Sequence, residues 1–268
     1  MSTAPRALSA LIAVAVAVGL TVAAYGGGNV AVLFVVTLLQ AAGVELSLPL
    51  LFITSVVVLQ LVFFVGVSVL YLRYRGITLS EIGVRIPTLE EWIAAGAGFI
   101  GLIVLWLGAS ITSFFLANRF GIEQPQQDII ELGQQDPTIF ILLGVLSLLI
   151  VGPAEELLFR GVIQTRLRET FGVVVALTLA TAVFALIHLP GFLGGGIDAA
   201  LLGVSTLFVV GAVLAVVYEY TGNLVIVALL HGLFNAIQAS LGYFSVTFDD
   251  GEMAAACVEL LSTTGVIF

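Results

Sequence analysis

Thr138-Ile139-Phe140-Ile141-Leu142-Leu143-Gly144-Val145-Leu146-Ser147-Leu148-Leu149-Ile150-Val151-Gly152-Pro153-Ala154-Glu155-Glu156-Leu157-Leu158 decides how this chain is read. Nothing ionisable interrupts it from Thr138 to Val151, and it is long enough to cross a bilayer core, which takes about 20 helical residues. Two adjacent carboxylates nevertheless stand in the same run. An ionisable side chain in hydrocarbon is costly, so one that persists there is a functional candidate.

The stretch has company. Of 268 residues, 60% are hydrophobic and 9% charged, with a mean hydropathy of +1.22. Soluble domains carry roughly 25% charged residues, which excludes a soluble fold. Apolar runs occur at 7–24, 29–44, 49–72, 92–117, 138–158, 172–189, 199–218 and 224–243. The expected fold class is therefore all-α, a polytopic transmembrane helix bundle of about eight spans. The second run is the weakest, being short and carrying Gln40. The first exceeds the apolar length of a secretory signal and reads as a retained anchor.

Residues 1–137 are expected to hold N-terminal helices and connectors, 138–243 the core that carries the chemistry, and 244–268 a C-terminal tail. The connector 73–91 is charged, and 118–137 is acidic and glutamine-rich, with a possible interfacial helix at 126–132. A glycine-rich turn is expected at 191–196. Ala94 with Gly98, and Ala97 with Gly101, set small residues four apart and would allow close helix approach.

Acidic residues outnumber basic ones 17 to 8, and every basic residue is arginine. No basic patch exists for nucleic acid. Cys257, the single cysteine, cannot form an intramolecular disulfide. With eight spans, Arg73, Arg75, Arg85, Arg160, Arg166 and Arg168 share a side, against Arg6 and Arg119 on the other. The positive-inside rule makes the arginine-rich side cytoplasmic. Seven spans would move the N-terminus inside.

Three segments concentrate the remaining polar groups: Gly152 to Arg160, Phe184 to His188, and His231 to Asn235. They contain both histidines of the chain. At about 100° per residue, Glu155 and Glu156 point a quarter turn apart, while Glu156 and Arg160 share a face and can pair. Glu155 is then left for a desolvated cavity, where a carboxylate can act as general base. His231 and Asn235 also share a face. A base on one helix and hydrogen-bond donors on another suffice for acyl hydrolysis. Taken singly, each segment also has a plain structural reading, as an interfacial charge cluster, a headgroup-level histidine or interhelical hydrogen bonding. Glu219 and Asp198 read as solvated residues at span ends. Gln40, Glu45 and Gln60 read as packing or interfacial residues.

Glu155-Glu156-x-x-x-Arg160, Phe184-x-x-x-His188 and His231-x-x-x-Asn235, on successive apolar segments, resemble the CPBP family of intramembrane proteases, which includes Rce1-like CAAX prenyl proteases. The resemblance covers roughly 138–243, with a weaker echo at Leu79-Ser80-Glu81-Ile82-Gly83-Val84-Arg85. It implies a glutamic-type endopeptidase with Glu155 as catalytic base, His188 positioning or activating water, and His231 with Asn235 stabilising the oxyanion. Glu156 and Arg160 would have supporting roles. No cofactor is expected. The alternative is a zinc site of Glu155, His188 and His231 with an open water position, although the compact His-Glu-x-x-His helix is absent.

The expected partners are a membrane-associated peptide or protein substrate, prenylated or not, and the lipid bilayer. The expected location is the plasma membrane, multi-pass, with the active site toward the cytoplasmic side. A non-catalytic immunity or regulatory protein on the same fold is the reading from another class. A transporter fits less well, because the polar inventory sits wholly in the second half of the chain.

Overall fold

Backbone N–H and C=O groups have no water partner in hydrocarbon and must pair within their own segment, so the apolar runs become helices. The computed structural model describes residues 4–123, 128–247 and 251. They form α1 (Ala7–Ala41), α2 (Leu48–Arg75), α3 (Leu89–Phe120), α4 (Asp128–Gln135), α5 (Thr138–Arg168), α6 (Val173–Leu186), α7 (Gly196–Thr221) and α8 (Leu224–Thr247). A 3-10 segment, Leu189–Gly195, joins α6 to α7 where a glycine-rich turn was expected. The described residues contain no strand. The protein is an all-α polytopic membrane bundle. Among the described residues, six helices are long and apolar enough to cross a membrane, α7 being continuous with its 3-10 lead, whereas α6 has only 14 residues.

The runs 7–24 and 29–44 are not separate spans but one helix, α1. Gly26 and Gly27 keep right-handed helical angles. Their neighbour Gly28 lies against Leu59 and Phe63 of α2, so closely that a methyl group there would overlap the Leu59 side chain. The glycines serve helix packing rather than a break. Of the two small-residue pairs on α3, Gly98 meets Val217 of α7, while Gly101 has open space beside it.

Among the described residues, four π-helical stretches interrupt the ladders: Val22–Gly26 in α1, Val57–Phe64 in α2, and Ser147–Val151 and Leu157–Gln164 in α5. Such turns are rare and are often found at functional sites. The two in α5 flank the regular turn Gly152–Glu156.

Helix α5 packs on α8 along its length and on α2, while α7 lies between α3 and α6. Ile130 of the short helix α4 joins Phe140, Leu143 and Ala239 in a small separate core. The expected interfacial helix thus lies at 128–135, while 126–127 fall outside the described residues, as do Cys257 and all of the tail from 252 onward.

The arginine-bearing ends of the helices are tied together. Arg75 at the end of α2 pairs with Glu169 beyond α5 at 3.0 Å, as does Arg166 at 3.1 Å. Arg168 pairs at 3.0 Å with Glu219, which is therefore bridged as well as partly solvated. In the connector 76–88, Arg85 binds Glu91, whose own N-terminal capping box with Thr88 starts α3. The Glu91 carboxylate raises the affinity of Arg85 for its proton. The Thr78 hydroxyl and backbone N–H both donate to Glu81, holding that carboxyl below its usual range.

Candidate active site

Helix α5 does not end near Leu158, as the sequence suggested, but continues to Arg168. The Glu155-Glu156 pair is consequently interior. Arg166 follows Glu155 by eleven residues of one continuous helix, through the π-helical stretch Leu157–Gln164. Arg160 is likewise no connector residue, being 0% exposed. It leaves the count of cytoplasmic charges and joins the site.

Two glycines bring the motifs together. A methyl group on Gly152 would stand 2.7 Å from the Ala228 carbonyl oxygen and 3.0 Å from the Gly232 nitrogen. One on Gly232 would stand 2.7 Å from the Ser147 carbonyl oxygen. Only hydrogen at both positions lets the backbones of α5 and α8 touch here. That contact sets His231 beside the paired glutamates.

His231 Nδ1 lies 2.8 Å from Glu156 Oε1, and Arg160 Nε donates to Glu156 Oε2 at 3.0 Å. All three side chains are fully buried. Glu156 thus has both oxygens engaged, and the pairing with Arg160 read from the i,i+4 spacing is present. Since Arg is always charged and Glu156 accepts from it, His231 Nδ1 is the donor. Its Nε2 points the other way, 4.0 Å from Glu155 Oε2. Arg160 also reaches α7, where Nη2 donates to the Gly211 carbonyl at 3.1 Å.

His188 arrives from α6. That helix stops at Leu186, ahead of Leu189-Pro190, because proline cannot continue a helical ladder. The early stop leaves His188 inside the bundle, 4% exposed. Its Nδ1 donates to the Phe184 carbonyl at 2.8 Å. The Phe184 ring packs against His188 at 5.0 Å and His231 at 6.0 Å between centroids, and lies 5.2 Å from the Arg160 guanidinium. Phe184 thereby spaces both imidazoles and the arginine. Asn235 is fully buried one turn beyond His231, followed by Gln238 on the same face.

Among the described residues, the buried polar atoms at the site without a hydrogen-bond partner include Glu155 Oε2, His188 Nε2 and His231 Nε2, together with Gln60 Oε1 and Arg160 Nη1. Buried polar atoms are nearly always satisfied, so unsatisfied ones call for a ligand, water or reaction. Both imidazoles have Nδ1 anchored and Nε2 presented, the orientation common to ligating histidines. The spacing is different: among the described residues, no three His, Cys, Asp or Glu side chains are grouped as a metal ion would require. The donor set fits zinc in orientation but not in geometry.

The sequence placed Gln60 among packing or interfacial residues. It is instead 5% exposed, and its Nε2 donates to Glu155 Oε1 at 2.7 Å. The available signal was a carboxamide in the middle of an otherwise apolar span. Gln40 and Glu45, read in the same way, are exposed.

Residues 137–237 match the family model described as Type II CAAX prenyl endopeptidase Rce1-like. The matched segment runs from the start of α5 to just beyond Asn235. No curated protein and no solved structure matches the chain.

Proposed function

We propose that the Rce1-like domain makes this chain a CAAX-type intramembrane endopeptidase in which Glu155 activates water. The family match supports the protease class. The observation that carries the mechanism is Glu155 Oε2, fully buried, unpartnered and 4.0 Å from His231 Nε2. A water held at Oε2, with His188 Nε2 as its second partner, gives a proton to Glu155 as its oxygen attacks the peptide carbonyl. The carbonyl π pair moves onto oxygen, where His231 and Asn235 meet it. On collapse, the C–N bond breaks and the proton held by Glu155 passes to the leaving amine. Glu156 and Arg160 hold the imidazole. Because Nδ1 already donates to Glu156, His231 can serve the oxyanion only with a second proton on Nε2.

No cofactor enters this reading. The substrate is a membrane-associated peptide or protein, prenylated or otherwise lipid-tethered. Plasma-membrane residence with the site reached from the cytoplasmic side is proposed from the arginine distribution. Arg73, Arg75, Arg85, Arg166 and Arg168 remain on that side once Arg160 is removed from the count.

The test is cleavage of a membrane-tethered peptide library by purified protein in detergent, comparing the parent with Glu155→Ala. Loss of cleavage is expected, with chelators having no effect. Full activity in Glu155→Ala would sink the glutamate mechanism. Activity lost to a chelator and restored by zinc would replace it with a metal mechanism.

A further inference from the structure

The family match begins at residue 137, yet Glu155 is held from outside it. Gln60 belongs to the π-helical stretch Val57–Phe64 of α2, and it is buried where that helix passes α5. Its amide supplies the one hydrogen bond that Glu155 receives among the described residues, 2.7 Å to Oε1. Oε2 is left without a partner, on the side of His231. We infer that Gln60 is a positioning residue for the Glu155 carboxylate, so that the N-terminal helices complete a site whose other members all lie in α5–α8.

The inference rests on Glu155 being the base, and chemistry favours an amide in this place. A carboxylate held through one oxygen cannot spin about its last torsion, so one lone-pair direction stays aimed at the water. An amide N–H fixes that orientation without adding charge or offering a transferable proton. A lysine or arginine at the same distance would stabilise the carboxylate electrostatically and weaken it as a base. The π-helical widening of α2 is the local device that accompanies this placement, as such turns do at other functional sites.

The experiment uses the full chain in lipid nanodiscs with a quenched-fluorescent farnesylated CAAX peptide as probe. Gln60→Met keeps the volume and removes the donor. Its kcat is expected to fall about 10–100-fold, the range for removing an orienting partner. KM should stay within about twofold, the pattern of an interaction used in the chemical step, with the melting temperature unchanged. Gln60→Glu adds a signature that a merely structural role would not produce. Its acid form donates the same bond, whereas its carboxylate repels Glu155. Activity relative to the parent should therefore fall as pH rises in Gln60→Glu and stay evenly depressed in Gln60→Met.

Two failures are distinguishable. If Glu155→Gln cleaves like the parent, the base assignment falls and the positioning role falls with it. If Glu155→Gln is inactive while Gln60→Met keeps the parental kcat, the positioning role alone falls. A measurement that needs no substrate stands beside these. The infrared carboxyl or carboxylate band that disappears in Glu155→Gln should shift in Gln60→Met, and an unmoved band overturns the inference.

Discussion

Within the spans of α5, α7 and α8, 44%, 56% and 61% of an apolar 18-residue stretch is buried, against 22%, 17% and 22% in α1, α2 and α3. Hydropathy does not separate the two groups cleanly, since the same stretches average 2.1, 2.6 and 1.8 in the first and 2.4, 2.7 and 2.2 in the second. The difference lies in what each helix faces. The later helices face one another, and only there can a glutamate, an arginine or a histidine find protein partners to replace water. The first three face mostly outward and keep one deep polar contact with the site, Gln60. A membrane bundle can thus share one apolar composition between a packed chemical centre and a surrounding shell.

The comparison breaks most sharply at Glu155. If the packed half is the chemical half, Glu155→Gln should lower kcat by about 10²–10⁴-fold, the contribution typical of a general base. The same variant should fold normally, because Gln60 and His231 remain beside an isosteric amide. A steady-state assay on the membrane-tethered peptide, paired with a thermal melt, reads both. Unchanged turnover would move the chemistry elsewhere in the bundle.

Arg160 and Arg75 set the contrast in stability. Arg160→Met takes the guanidinium from the buried Glu156 carboxylate and leaves it the His231 Nδ1 contact alone, and removing one partner of a buried pair costs about 3–5 kcal/mol. Arg75→Met opens an ion pair whose side chains are 31% and 39% exposed, where the expected cost is under about 1 kcal/mol. Equilibrium unfolding in mixed micelles measures each. Equal losses in the two variants would show that depth does not decide the value of a charge pair here.

Much of this was legible in the sequence. The composition dictated helices, and the i,i+4 spacing of Glu156 and Arg160 gave their contact, because within one helix spacing is geometry. The contact of His231 with Glu156 had no signal in the sequence, since the two are 75 residues apart. What sequence missed were contacts between helices far apart in the chain. Gln60 and Glu155 are 95 residues apart, and no local pattern joins them. Gly26 to Gly28 looked like an interruption because glycine weakens an isolated helix, yet α2 packs on them and the helix continues. Arg160 looked interfacial because one arginine in a sequence cannot reveal that Glu156, Gly211 and Phe184 surround it.

Glycine supplies the smallest and most local comparison. Gly232→Ala places a methyl 2.7 Å from the Ser147 carbonyl oxygen and 2.8 Å from Leu148 Cα, both of them backbone atoms that cannot rotate away. Helices α5 and α8 must then separate, at a cost of about 1–3 kcal/mol for overpacking. The separation also lengthens the 2.8 Å contact between His231 and Glu156, so turnover should fall along with stability. Gly96→Ala on α3 meets nothing within 4 Å, so the added methyl should be neutral or stabilise by up to about 1 kcal/mol through helix propensity. Activity should be untouched. Melting curves and kcat for the two variants, measured side by side, give the comparison directly. If Gly96→Ala proved as damaging as Gly232→Ala, the outward face of α3 would have to be covered by something other than lipid.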